Sequence, residues 1–172
     1  MNIEKRSIVI LFVFFLSCGK NIKTVTKVEN MYSKIKKELA PDKRTELFDI
    51  QFHLSNGAII LKGETTSKKA LSRLQDSLKY SQVNFKSEVR ILPDSSLENR
   101  QFAIAKNSVI NIRSNPKHSA ELGTQGLLGM ALRVLDKKGD FYRIQTPDNY
   151  ISWVDKGGIQ RMNKRDFDLW NA

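Results

Sequence analysis

The sequence is poor in the residues that build covalent or metal-based sites. Its 172 residues include one cysteine, Cys18, and two histidines, His53 and His118. A single cysteine excludes an intrachain disulfide, and two isolated histidines do not make a metal-ligand set. No Gly-x-Ser-x-Gly, His-x-x-x-His or P-loop spacing is present. We therefore expect no catalytic residue, no metal and no cofactor, and a protein that is not an enzyme.

Long hydrophobic runs are also missing. A membrane-spanning helix needs about 20 consecutive apolar residues, and the longest unbroken apolar run here extends only from Ile8 to Leu16. Lys5 and Arg6 precede this run, and small residues follow it at once. This arrangement predicts a secretory signal peptide and not a permanent span.

The single cysteine directly follows the apolar run. The sequence Phe15-Leu16-Ser17-Cys18 resembles the lipobox of bacterial lipoproteins, with Phe15 where leucine is commonest. The resemblance implies a signal peptide over residues 1–18, lipid chains on Cys18, and a cell-envelope location, on the outer membrane facing the periplasm. Two or more acyl chains hold a protein stably on a membrane. The alternative is an ordinary secretory signal in which Cys18 is incidental.

Acidic residues are outnumbered. The chain has 29 lysines and arginines against 18 acidic residues, for a net charge of +11. Such a surface favours an anionic partner, and because the predicted export argues against nucleic acid, we expect lipid headgroups or the carboxylates of cell-wall peptides. The alternative is a solvated surface without a specific partner, since the lysines are scattered.

The pattern of residues 28–93 predicts a small α+β domain after a polar, basic tether at residues 19–27. The apolar spacing favours the order helix, strand, strand, helix, strand, with a hairpin at Asn56-Gly57, a second strand that ends at Gly63, and N-caps at Thr65 to Ser67 for the second helix. Asn56-Gly57, the following Ile59–Gly63 and the Ala- and Leu-faced helix resemble the BON domain of envelope proteins. That resemblance implies attachment to an envelope surface or lipid without catalysis. The alternative is a spacer domain of similar topology.

Residues 94–100 are expected to form a polar linker, and residues 101–160 a small all-β barrel, because short strands and frequent glycines replace the helical period. Gly123, Gly126 and Gly129 are expected in a loop of this barrel. Residues 161–172 are expected to form a short helix. Its Phe167 and Trp170 are a candidate partner interface, since an exposed apolar pair often marks one.

Four segments of the predicted barrel resemble a bacterial SH3 domain: Asn111–Pro116, Leu132–Leu135, Gly139–Ile144 and Ile151–Val154. Ser152 stands where that pattern has glycine, and Phe141 where it often has tryptophan. Ala120–Gly129 is similar to the SH3 region before the catalytic domain of NlpC-type cell-wall cysteine peptidases. The fold class expected for the whole chain is therefore α+β, a BON-like αββαβ domain followed by an SH3-like barrel.

Small barrels of this type bind peptides through exposed aromatic grooves. The candidate ligand residues are Arg113, Tyr142, Arg143, Tyr150 and Trp153, with the two arginines placed for the carboxylates of a peptidoglycan stem peptide. The alternative for Trp153 is a place in the barrel core with Phe141.

These features give three functional hypotheses. The first is a membrane-anchored lipoprotein that binds or targets cell-wall peptides or an envelope partner. The second is the N-terminal regulatory or targeting fragment of a split or truncated NlpC-type γ-D-glutamyl peptidase, whose partner is a separate peptidase domain. The third is a structural adaptor for another envelope protein.

Overall fold

The computed structural model describes the backbone of residues 13–172 and the side chains of residues 23–172. Within these residues the protein is mixed α+β, with three α-helices and two β-sheets. The predicted signal peptide up to residue 12 and the side chain of Cys18, the predicted lipidation site, lie outside the described residues. Among the described helices, none is long and apolar enough to span a membrane.

The first domain contains α1 (Val13–Leu39), β1 (Phe48–Ser55), β2 (Ala58–Thr65), α2 (Lys68–Tyr80) and β3 (Phe85–Ile91). β1 and β2 form an antiparallel hairpin around Asn56 and Gly57, both of which have positive φ angles. β3 pairs parallel to β2, and α2 makes the crossover between them. The order of elements is the one that the apolar spacing predicts. The BON resemblance itself stays a prediction.

The core of the first domain lies between the two helices and one face of the three-stranded sheet. α1 contributes Val28 and Ile35, β1 and β2 contribute Phe48, Ile59 and Leu61, and α2 contributes Ala70, Leu71, Leu74 and Leu78. The opposite face of the sheet is polar, because side chains alternate along each strand. His53 lies on this polar face, and it is exposed.

Two boundaries in the first domain differ from the predicted ones. Residues 19–27, expected as a tether, belong to α1, and Val25 packs against the core one helical turn before Val28. β2 does not end at Gly63 but continues to Thr65. It does so because Gly63, at φ +141°, lets β2 pass very close to the backbone of Asp49.

The second domain is a barrel-like sheet of seven strands. They are β4 (Phe102–Ala105), β5 (Val109–Arg113), β6 (Leu122–Leu127), β7 (Ala131–Lys138), β8 (Phe141–Gln145), β9 (Ile151–Asp155) and β10 (Ile159–Met162), in the spatial order β10-β4-β7-β8-β9-β5-β6. A cluster of buried aliphatic side chains fills the interior, including Ile110, Ile112, Leu132, Val134, Ile144 and Val154. Gly123 and Gly126, expected in a loop, lie in β6.

The chain segments on either side of the barrel are packed against it. The predicted linker at residues 94–100 contains a 3₁₀ turn, Ser95–Leu97, and Leu97 is buried in the barrel core. The amide of Asp94 also donates a hydrogen bond of 2.8 Å to the carbonyl of Leu135 in β7. This segment is therefore part of the second domain and not a free linker. After β10, Asn163 caps a short helix, α3 (Lys164–Trp170), close to the predicted position.

Candidate binding surface of the barrel

Strand pairing brings one residue from each of four strands into a row on the outer face of the barrel. Arg113 of β5 lies opposite Trp153 of β9, Trp153 lies opposite Arg143 of β8, and Arg143 lies opposite Asp136 of β7. The neighbouring residues Ile112, Val154 and Ile144 point into the core, so the row points outward. Three of the five candidate ligand residues therefore lie side by side.

The aromatic side chains on this outer face are nevertheless buried. Trp153 is only 7% exposed, and the guanidinium of Arg143 lies 4.6 Å from the centre of its ring. Phe141 is 6% exposed, and its ring centre lies 5.0 Å from that of His118. Both aromatics are buried, as the alternative of a core position predicts, but neither belongs to the hydrophobic core inside the barrel. They belong to the outer layer, where other parts of the chain cover them.

A group of charged residues next to Trp153 joins the barrel to the first domain and is here called the junction network: Glu64, Arg90, Asp94, Asp136 and Arg143. Nη1 of Arg143 donates a hydrogen bond of 2.5 Å to Glu64 of β2. The other oxygen of Glu64 accepts from Arg90 of β3 at 2.7 Å. Arg90 in turn donates to both carboxylate oxygens of Asp136, at 3.0 and 2.7 Å, and to Asp94 at 3.0 Å.

The charge states of the junction network follow from these contacts. Burial alone would raise the pKa of Glu64, but the hydrogen bonds from Arg143 and Arg90 outweigh it and hold that pKa below its usual 4.5. The hydrogen bonds from Arg90 to Asp136 raise the pKa of Arg90 above its usual value. Glu64 and Arg90 are therefore both charged at neutral pH.

Main-chain contacts extend the junction beyond the charged residues. The amide of Ile151, at the start of β9, donates a 2.6 Å hydrogen bond to the carbonyl of Arg44. The side-chain amide of Gln145 donates to the carbonyl of Thr45 at 3.2 Å. Leu135 is fully buried yet belongs to neither hydrophobic core. The segment between α1 and β1 thus docks on the same side of the barrel as Glu64 and Arg90.

The other candidate ligand residues point in different directions. Arg113 is partly buried, and its Nη1 donates 2.8 Å to the carbonyl of Ala120. Tyr142 packs against the barrel core, and its hydroxyl accepts a hydrogen bond from Arg161 at 3.3 Å. Tyr150 also packs against the core, with its hydroxyl close to Gly123. The five candidates therefore do not line one common groove.

Ser152, the departure from the SH3 pattern, is accommodated without loss of pairing. Its side chain is buried, and its hydroxyl donates a hydrogen bond of 2.5 Å to the carbonyl of Arg113 on the neighbouring strand. A buried hydroxyl without a partner would be costly, so this bond explains how serine replaces glycine there.

The two candidate interface residues of α3 have different environments. Phe167 packs on Phe102, with ring centres 4.8 Å apart. Trp170 is 56% exposed and lies over Gly129. The exposed side chains of Leu127, Leu128, Leu169 and Trp170 are here called the C-terminal apolar patch, because Leu127 and Leu128 precede Gly129 in the chain and Leu169 precedes Trp170.

The junction network is the part of this surface that the sequence did not reveal. Glu64, Arg90 and Asp136 are distant in the chain, and each occupies a strand position that reads as an ordinary polar residue. The alternation of side chains along β2 and β3 indicates only that Glu64 and Arg90 share the polar face of the first sheet. Among the described residues, no cluster of histidine, cysteine, aspartate and glutamate could hold a metal ion.

One protein family matches part of the chain. No curated protein matched the chain. Residues 112–159, which run from β5 to β10, match the family model of the bacterial dipeptidyl-peptidase Sh3 domain. The C-terminal part of this protein is therefore an SH3-like β domain.

Proposed function

We propose that this protein is a membrane-anchored envelope lipoprotein whose SH3-like domain is a non-catalytic module that binds cell-wall peptides or an envelope partner. The match of residues 112–159 to an SH3 family named for a bacterial dipeptidyl-peptidase carries the proposal. The lipobox-like sequence at Cys18 supports the anchor, and the net charge of +11 supports an anionic partner.

In this proposal the first domain is the spacer between anchor and barrel. α1 includes Cys18 and leads from it into the core of the first domain. The junction network then ties that domain to β7 and β8 of the barrel. Because the ties are charge-assisted hydrogen bonds, which are stronger than neutral ones, the barrel keeps a defined orientation relative to α1.

The ligand side of the barrel is proposed to include Arg113 and Tyr150. Both are partly exposed, and neither takes part in the junction network. A guanidinium can bind the carboxylate of a stem peptide through two parallel hydrogen bonds, and a tyrosine offers a flat apolar face with a hydroxyl at its tip. Arg143 and Trp153 are assigned to positioning, since Arg143 is only 16% exposed and bonds Glu64.

Retention of the detergent-solubilised full chain on purified peptidoglycan sacculi at low salt tests the proposal. We expect wild type to be retained, and Arg113→Lys, which keeps the charge but loses the forked donor, to bind about tenfold more weakly. Lys138→Ala is the matched control, because Lys138 is an exposed cation on the same barrel. No retention of the wild type, or equal losses in the two variants, would contradict the proposed wall-binding role.

A second function is favoured by the peptidase association of the matched family, the bacterial dipeptidyl-peptidase Sh3 domain. A peptidase-associated SH3 domain suggests the regulatory or targeting fragment of a split NlpC-type γ-D-glutamyl peptidase, with the catalytic domain on another chain. Co-purification of the full chain with the product of a neighbouring gene that encodes a Cys/His peptidase domain would support it. Absence of such a gene nearby would remove this alternative.

A further inference from the structure

The outermost strand of the barrel, β6, has a free edge. β6 lies at one end of the seven-stranded sheet and, in the described part of the chain, pairs only with β5. Along such an edge, alternate backbone N–H and C=O groups point away from the sheet and are available to another strand.

The sequence of β6 leaves this edge unprotected. Proteins usually guard a free edge with charged residues or proline, which discourage pairing with another chain. The other edge strands carry charges: Asp49 in β1, Lys86, Glu88 and Arg90 in β3, and Arg161 in β10. β6, with the sequence Leu-Gly-Thr-Gln-Gly-Leu, has neither a charge nor a proline.

The two glycines of β6 let the strand pack closely against the rest of the barrel. A side chain on Gly126 would approach Ile110 and Met130 to about the closest distance that atoms allow, 3.0 Å, and one on Gly123 would lie 2.5 Å from the hydroxyl of Tyr150. β6 therefore lies close against the barrel at both positions. Glycine inside a strand often marks a place where another backbone approaches.

Apolar side chains border this edge at its C-terminal end. Val109 lies directly opposite Leu127, and both are exposed, Leu127 by 66%. Leu128 follows in the chain, and Trp170 lies over the next residue, Gly129. The edge therefore continues into the C-terminal apolar patch. A strand added to β6 could bury alternate apolar side chains on this side.

We propose that β6 binds an extended segment of a partner protein that carries acidic residues, by strand addition. Recognition would come from backbone hydrogen bonds to β6 and from apolar contacts with Val109 and Leu127. Lys106 is exposed and lies near the C-terminal end of β6, because the carbonyl of the preceding residue, Ala105, accepts a hydrogen bond from the amide of Gly129. This cation and the net positive charge of the chain favour a bound segment with acidic residues.

A second copy of this chain is the main rival occupant. Two identical β6 edges would bring together two molecules that each carry a net charge of +11, and this repulsion disfavours the pairing. A segment with acidic ends meets no such repulsion. The proposal is also independent of wall binding, because it assigns recognition to the β6 edge and not to Arg113 and Tyr150, the proposed wall-binding residues, and because this edge lies on different residues from the junction network.

The probe for the test is a synthetic peptide of about eight residues, with alternating valine and threonine between terminal glutamates and with blocked ends. Hydrogen–deuterium exchange of the full chain in detergent should show at least about tenfold slower exchange for amides in residues 122–127 when this peptide is present. The same peptide N-methylated on alternate residues, so that one edge cannot donate hydrogen bonds, should give no protection. A version with lysine ends should bind about fivefold more weakly at low salt.

Two variants locate the site without disturbing the core. Gln125→Lys places a charge on the β6 edge and should weaken peptide binding about tenfold. Gln160→Lys makes the same change on β10, at the other edge of the same sheet, and should leave binding unchanged. Equal binding of the N-methylated peptide, protection outside residues 122–127, or no protection would overturn the proposal. Concentration-dependent dimerisation with protection of β6 in the absence of peptide would also overturn it, in favour of a second copy.

Discussion

Gly63 lies where β2 passes closest to β1. Its φ of +141° is a conformation that other residues rarely adopt, and a Cβ there would lie 2.0 Å from the carbonyl oxygen of Asp49. The backbone of β1 cannot move away without breaking its pairing with β2. The close packing of Phe48 and Ile50 in the first core therefore depends on a residue without a side chain.

This dependence gives a stability prediction. Gly63→Ala should lower the free energy of unfolding by about 3 kcal/mol, since it combines backbone strain with a clash against main-chain atoms. Gly57→Ala is the matched control, because Gly57 also has positive φ but has open space around its Cβ position, and it should cost about 1 kcal/mol. Urea denaturation measures both. Equal losses would show that the clash with Asp49 is relieved at little cost.

For single residues, the sequence alone did not distinguish ligand binding from a structural contact. Arginines and aromatic residues on a small barrel are typical of a peptide-binding site, and Arg143 and Trp153 fit that composition. The same two residue types also form cation–π contacts, which can stabilise a domain junction. What separates the two roles is Glu64, which lies 79 residues earlier in the chain. No local pattern connects residues so far apart, so ligand binding by Arg143 could be predicted while its ion pair could not.

At the scale of elements, α2 shows how local chemistry sets a boundary. Ser67 has extended backbone angles, and its hydroxyl accepts a hydrogen bond from the amide of Ala70 at 3.4 Å, which satisfies a helix N-terminal donor. From there Ala70, Leu71, Leu74 and Leu78 place one apolar face on the sheet. The cap and the apolar face were both readable in the sequence.

The cap should contribute measurably to stability. Ser67→Ala should destabilise the protein by about 1 kcal/mol in chemical denaturation, because the amide of Ala70 loses its partner. Ser72→Ala, at an exposed position in the middle of the same helix, should instead raise stability by about 0.5 kcal/mol, since alanine is the better helix former. A Ser67 variant as stable as wild type would mean that water replaces the cap without cost.

Two elements could not be predicted because tertiary packing outweighed their local pattern. Residues 19–27 are polar enough to read as a tether, but Val25 adds one contact to the core and α1 continues through them. β6 is glycine-rich and reads as a loop, yet its pairing with β5 holds it extended. In both cases the deciding contact comes from another part of the fold.

At the scale of the whole molecule, the junction network joins two domains that the sequence could only place one after the other. The periodicity switch between residues 93 and 101 separates the α+β domain from the barrel, and the structure keeps these as two sheets with separate cores. The sequence contains no comparable pattern for their contact, because charged residues on strand faces usually contact only water. The relative position of the domains is therefore the least predictable part of the fold.

The network also makes the union of the domains sensitive to acid. Glu64 bridges Arg90 of its own sheet and Arg143 of the barrel, and its pKa in the folded protein lies below 4.5. A carboxyl whose pKa is lowered by folding contributes its stabilisation at pH values above the unfolded pKa and loses it as pH falls through the folded pKa. Protonated Glu64 no longer accepts two charge-assisted hydrogen bonds.

Glu64→Gln should therefore lower stability by about 2 kcal/mol at neutral pH. Its difference from wild type should shrink as the pH falls below 4.5 and disappear once the pH is below the lowered pKa of folded Glu64. Urea unfolding over a pH series measures this difference. Glu38→Gln is the control, because Glu38 pairs with Arg73 within the first domain at an exposed site and should cost less than about 1 kcal/mol. If the Glu64 difference persists unchanged into acid, the loss comes from packing at the junction and not from the charge of Glu64.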